Sequence, residues 1–407
     1  MSTTKTRPAG NNALVQIRQQ IEEIANEEDL QKDLKILPKN YTFEVPKTIW
    51  KIRTTNSKTV ALQFPEGLLI YSCVIADILT KYTGVDVIIM GDVTYGACCV
   101  DDFTGRALGC DLLVHYGHSC LVPVHETKGI NLLYIFVNID INLSHFLDAL
   151  RQNFQKSQKL AVVSTVQFVA SLQVAKRTLN EEGFRIVVPQ CSPLSPGEIL
   201  GCTSPVLDDD VDAIVYLGDG RFHLESMMIH NPRTPAYQYN PYSRVLTVER
   251  YAHDRMLAAR RNAIRAARNG ERFGLVLGTL GRQGNLKVYE DLERRLRAAG
   301  KRLVRVLLSE IFAAKLDMFT GVDGWVQVAC PRLSIDWGAS FAAPLLTPFE
   351  LAVALGEARL DPADRYPMDY YAYASRGPWT NNHESHRPAA ARRTTRRAHI
   401  SLRPTTD

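Results

Sequence analysis

Residues from about 58 to 365 repeat one plan of strand, helix, strand and strand roughly every hundred residues. The first copy runs TVALQFPEG, a helix through LLIYSCVIADILTKYTG, VDVIIMGD, a short helix VDDFTGRALG, and CDLLVHYGH. The second runs KLAVVSTVQF, helix VASLQVAKRTLNEEG, FRIVVPQ and VDAIVYLGDG. The third runs FGLVLGTLGRQG, helix NLKVYEDLERRLRAAG, KRLVRVLLSE, helix IFAAKLDMFTG and GWVQVACP. Strands alternating with helices of this length form parallel βαβ units. Strands carrying Val, Ile and Leu on both sides belong to sheets covered on both faces. The expected fold is therefore α/β, with three pseudo-symmetric Rossmann-like βαβ domains around a common centre. Their expected bounds are 58–155, 156–268 and 269–378, after an N-terminal extension of 1–57 and before a tail of 379–407. A chain of 407 residues has room for that many cores.

Three cysteines follow the repeat: Cys98 in VTYGACCVDD, Cys202 in EILGCTSP and Cys330 in VQVACPRLSIDWG. The first two follow the second strand of their copies and the third follows the third strand of its copy. Strand ends are where α/β folds carry their chemistry. Three thiolates meeting at one point would hold an iron–sulfur cluster and leave one iron open. Cys98 is preferred to its neighbour Cys99, and the small residues Gly96, Ala97, Gly201 and Ala329 would let backbone approach a bulky cluster. Cys73 reads as core packing within a helix, Cys110 and Cys191 as structural, and Cys120 as ambiguous. No C-x-x-C pair occurs, which argues against zinc ribbons and thioredoxin-like redox.

Two glycine-rich loops add candidates. GTLGRQG follows a strand and opens a helix, so Gly278, Thr279, Gly281, Arg282 and Gln283 are candidates for holding a carboxylate or phosphate through backbone N–H groups and the Arg282 guanidinium. Its spacing is not that of a dinucleotide loop. GDGRFHLE offers Gly218, Asp219, Gly220 and His223 at another strand end. Asp336 and Trp337 follow Cys330 closely enough to line the same cavity. TPFELAVALGE reads as a structural capped helix, Thr347 standing three residues before Glu350. No side chain is identified as a general acid or base.

The net charge of +5 is concentrated in the last residues, which hold the pairs Arg392–Arg393 and Arg396–Arg397. That tail is nearly devoid of apolar residues and reads as disordered; without it the charge no longer suggests nucleic-acid binding. The polar first thirty residues lack a signal core, and no apolar run reaches spanning length, so a cytoplasmic protein is expected.

These residues together resemble the diphthamide synthase family, on LQFPEGLL, GDVTYGACCVDDFTGRALGCDLLVHYGHSCLVPV, LGCTSP, GDGRFHLE, GTLGRQG, ACPRLSIDWG and PLLTPFE. The resemblance runs from about YTFEVPKTIW to PMDYYAYASRGPWT. It implies a radical S-adenosylmethionine enzyme that lacks the usual close-spaced cysteine triplet. Cys98, Cys202 and Cys330, matched motif by motif, would hold a [4Fe-4S] cluster. The implied reaction breaks the bond from sulfur to the γ carbon of the methionine moiety, giving a 3-amino-3-carboxypropyl radical and methylthioadenosine. That group then adds to C2 of a histidine imidazole in translation elongation factor 2. Implied partners are a paralogous second subunit, a small iron-containing electron donor, and the elongation factor as substrate. Two readings compete: a cluster acting as a Lewis acid, as in quinolinate synthase, and a non-catalytic supporting subunit.

Overall fold

The computed structural model describes residues 9–92, 94–122, 127, 129–361 and 365–386. It divides into two compact units, Met1–Asp140 and Ile141–Asp407.

The first unit is built on a four-stranded sheet. Its strand Thr59–Gln63 lies between Asp86–Ile89 on one side and Leu112–Tyr116 on the other, with Asn131–Ile135 beyond the latter, all parallel. Val60 and Leu62 face one way, into Ile49, Ile52, Ile75 and Leu79 of the flanking helices Val45–Thr55 and Ser72–Thr83. Ala61 and Leu113 face the other way, into Val100, Ile130 and Leu132. Apolar residues on both faces of the central strand are what a parallel sheet requires. The expected N-terminal extension is part of this core. Ile24, Leu30, Leu37 and Phe43 join the same cluster, and Trp50 Nε1 donates to Gln20 Oε1 at 2.8 Å.

The second unit holds two sheets. One has the order Val245–Glu249, Ala236–Asn240, Ala213–Leu217, Lys159–Ser164 and Arg185–Val187, parallel except for the antiparallel Val245–Glu249 edge. The other has the order Arg302–Leu308, Arg272–Gly278, Gly324–Val328 and Leu345–Leu346, all parallel. The helix Ser144–Asn153, which the sequence reading gave to the first domain, belongs to the second unit. Phe146 is fully buried there, its ring centroid 4.9 Å from that of Tyr239.

Each of the three sheets starts from a central strand with the next strand on one side and the third on the other. The same hydrogen-bond device aligns the first and third strands each time. Asp111 accepts from the backbone N–H groups of Lys58 and Thr59 at 2.6 and 3.1 Å. Asp212 accepts from Lys159 at 2.7 Å, and Asp323 from Glu271 and Arg272, both at 2.8 Å. Each aspartate also donates its own N–H back to the partner strand, to Thr59, Lys159 and Arg272 respectively. The accepted N–H groups hold the carboxyls of Asp111 and Asp323 below the usual range.

The expected tail needs correction at its start. Trp379 packs tilted against Phe349, with ring centroids 5.6 Å apart, Thr380 is 1% exposed, and Asn381 donates its N–H to the Tyr370 carbonyl at 3.0 Å. These residues are ordered because an aromatic ring and paired polar groups anchor them. Residues 387–407, which include the arginine pairs, lie outside the described residues. No helix among the described residues is long and apolar enough to cross a membrane.

Candidate functional site

Cys98 lies in the first unit on a short 3₁₀ turn, Ala97–Cys99, between the strands Asp86–Ile89 and Leu112–Tyr116. Its neighbour Cys99 is 2% exposed and belongs to the packed interior, whereas Cys98 is half-buried. A polar relay fixes this turn from below. Gln63, 3% exposed, donates from Nε2 to the Cys99 carbonyl at 3.0 Å, and its Oε1 accepts from the Asp101 N–H at 3.3 Å. The same Oε1 lies 3.0 Å from His115 Nδ1, and His115 Nε2 lies 3.1 Å from His118 Nδ1. Burial, and then the neighbouring His118, hold His115 well below the ordinary histidine range. Sequence reading missed the relay, because its hub is a glutamine on a different strand.

The second unit brings two candidate cysteines together. Cys202 lies in the loop after Arg185–Val187, and Cys330 is the N-cap residue of the helix Pro331–Trp337, just after Gly324–Val328. Both loops are tied to Arg332, which is two residues beyond Cys330 and donates from Nη1 to the Gly201 carbonyl at 3.3 Å, next to Cys202. Burial first, and Cys330 second, push Cys202 up to about 12. Burial also raises Cys330, with Arg332 working against it. Backbone contacts hold both loops. The Cys202 carbonyl accepts from the Tyr370 N–H at 3.3 Å, and the Cys330 carbonyl accepts from Gln327 Nε2 at 2.9 Å.

Arg332 is the centre of this region, and sequence reading passed over it. Its residue is 3% exposed. Nε donates to the Asp336 carboxylate at 3.0 and 2.9 Å, and Nη2 to Glu225. Nη1 donates to the carbonyls of Phe222, at 2.8 Å, and Gly201, at 3.3 Å. The guanidinium lies 4.4 Å from the Phe222 ring centroid. Burial works against this charge, but Asp336 and Glu225 outweigh it and hold the guanidinium above its ordinary pKa. Asp336, expected to line a cavity, is committed to Arg332; Trp337 is 64% exposed.

Gly201 has a different reason from the one expected. A Cβ there would overlap the Phe222 ring, so the glycine admits an aromatic ring beside the Cys202 loop. The GDG loop is fixed by side chains too. Gln238 Nε2 donates to the carbonyls of Gly218 and Gly220 at 3.1 and 3.2 Å, and the Tyr216 hydroxyl donates to that of Asp219 at 3.3 Å. Gly220 has φ of +66°, which favours glycine. His223 sits in the first turn of the helix Phe222–His230; burial first and the Arg332 charge second depress it to about 4, so it is neutral at pH 7.

The second glycine loop follows a strand and leads into a helix, as expected. That helix begins at Leu286, and Asn285 caps it, accepting from the N–H groups of Lys287 and Val288 at 2.9 and 3.2 Å. Two of the backbone donors at that helix end are thus already engaged. Within the loop, Thr279 donates its N–H to Leu308, Gln283 to Leu280 and Gly284 to Gly278. Gly278, Gly281 and Arg282 complete a loop after the strand Arg272–Gly278, in the same unit as Cys202 and Cys330. Among the described residues no three His, Cys, Asp or Glu side chains form a single-ion site.

The comparisons with known proteins agree among themselves. The Diphthamide_syn family model, which describes diphthamide synthesis proteins, matches residues 64–367. The curated 2-(3-amino-3-carboxypropyl)histidine synthase subunit 1 of Caenorhabditis elegans is 65% identical over 391 residues, covering 95% of this chain and 98% of its own length. The Homo sapiens protein of the same name is 58% identical over 376 residues, covering 92% and 85%. Among solved structures, Dph2 from Pyrococcus horikoshii with a 4Fe-4S cluster superposes with a TM-score of 0.68 at 24% identity, over 85% of this chain and 97% of that one. That last likeness bears on the fold: mixed α/β with parallel sheets.

Proposed function

This chain belongs to the diphthamide synthesis protein family, and from that premise we propose that it transfers a 3-amino-3-carboxypropyl group from S-adenosylmethionine to C2 of a histidine imidazole in translation elongation factor 2. The observation that carries the reading is that Arg332, two residues beyond Cys330, donates from Nη1 to the carbonyl of Gly201 at 3.3 Å and so ties the Cys202 and Cys330 loops within one unit. Cys98, half-buried on the turn of the first unit, is the third candidate thiol by its motif. Soft thiolate donors are the set that iron–sulfur clusters take. Cys98, Cys202 and Cys330 would hold the [4Fe-4S] cluster, which when bound supplies the single electron that breaks the sulfonium's bond to the γ carbon.

The chain's own residues have the remaining tasks. Cys202 and Cys330 are protonated thiols in the absence of metal, so each must shed a proton as a cluster binds. Arg282 is proposed to grip the donor's carboxylate, with Gly278, Thr279, Gly281 and Gln283 shaping the loop around it. Gly218, Asp219, Gly220 and His223 form the second wall; a neutral His223 offers a hydrogen bond there without adding a positive charge beside the sulfonium. As subunit 1 homologues do by name, the chain is proposed to work with a second subunit, a paralogue, and with a small iron-containing electron donor, in the cytoplasm. Anaerobic purification followed by iron and sulfide analysis, then incubation with dithionite, S-adenosylmethionine and elongation factor 2, tests this. The expected products are methylthioadenosine and a modified elongation factor. A chain that takes up no iron overturns the reading. Iron uptake without methylthioadenosine turns it towards Lewis-acid chemistry.

A further inference from the structure

We infer that Arg332 is a positioning residue that sets the separation of the Cys202 and Cys330 thiols. Arg332 is two residues beyond Cys330 in the chain, and its Nη1 donates to the carbonyl of Gly201, the residue immediately before Cys202. One side chain therefore ties the backbone of one cysteine loop to the other. The Phe222 carbonyl, on the same nitrogen, adds the start of the helix that carries His223. A planar guanidinium fork satisfies four partners in different directions at once, and an ammonium cannot.

Geometry and charge make separable contributions here. The guanidinium is paired with two carboxylates, Asp336 and Glu225. A lysine keeps the charge but loses the fork that reaches both loops, so it is not a substitute. The inference rests on the cluster reading above for its iron measurement alone, since the tie between the loops exists in the metal-free chain.

The test uses the full chain with Arg332→Lys, Arg332→Gln and, as a control for loss of a buried arginine elsewhere in the unit, Arg260→Lys. Arg260 is buried and paired to Glu350. Iodoacetamide labelling of Cys202 in the metal-free protein, followed by peptide mass spectrometry, should accelerate roughly tenfold in both Arg332 variants and stay at the parent rate in Arg260→Lys. After anaerobic reconstitution, both Arg332 variants should retain iron against a chelator about 10- to 100-fold less well than the parent. Parent-like labelling in Arg332→Lys, or equal acceleration in Arg260→Lys, overturns the inference. Should the Arg332 variants not fold, Glu225→Gln and Asp336→Asn keep the guanidinium but loosen it. Each should speed labelling a few-fold, and unchanged rates in both overturn the inference. A parent that binds no iron, with labelling as expected, overturns the cluster reading and leaves the tie standing.

Discussion

His230 has 3% exposure, and its Nδ1–H donates to the Ser204 carbonyl at 2.8 Å. Burial depresses it to about 4. The unfolded chain binds a proton near pH 6.5 and the folded chain does not, so this contribution to stability is complete above 6.5 and declines as pH falls towards 4. Between pH 6.5 and 5 the loss is about 2 kcal/mol. Urea unfolding should therefore show a lower midpoint at pH 5 than at pH 7, and His230→Gln should flatten that dependence. Among the cysteines, Cys202→Ala should abolish most iron uptake and Cys73→Ala should leave it unchanged, by iron analysis of the reconstituted proteins. Cys73 was read from sequence as core packing but is exposed at the start of its helix, because the apolar face of Ser72–Thr83 runs through Ile75, Ile78 and Leu79. The cysteine candidates were legible because they recur at strand ends. Arg332 was not, since its importance lies in partners more than a hundred residues away that no local pattern announces.

Helix ends show the same division. The capping box of the helix Pro348–Ala354 is written locally as T-x-x-E, and the structure has it: Thr347 accepts from the Glu350 N–H at 3.2 Å, and Glu350 accepts from the Thr347 N–H at 2.9 Å. The start of Leu286–Ala298 was legible to within one residue, since the reading began that helix at Asn285, which is its cap. Asn285→Ala should cost about 1 kcal/mol in chemical denaturation. The hairpin of Ala236–Asn240 with Val245–Glu249 went unread. Its turn, PYSR, places Arg244 at φ +58° without the glycine that would have flagged it.

On the scale of the chain, the repeat correctly indicated parallel sheets. It could not show that residues 24–52 merge into the first core or that the chain divides after Asp140, since both depend on long-range burial. The position of Trp379 leads to a contrast between two truncations. Removing 387–407 should leave the melting temperature unchanged. Removing 379–407 should lower it by roughly 5 °C, because the Trp379 contact with Phe349 and the buried Thr380 go with it. Differential scanning calorimetry distinguishes these outcomes. The three aspartates just before the third strands, Asp111, Asp212 and Asp323, carry a wider consequence. Alignment is fixed locally and redundantly, three times over, so a slip in one ladder has no means of spreading to its counterparts. Loops at the opposite strand ends are thereby free to diverge, each toward its own chemistry, without putting the scaffold beneath them at risk.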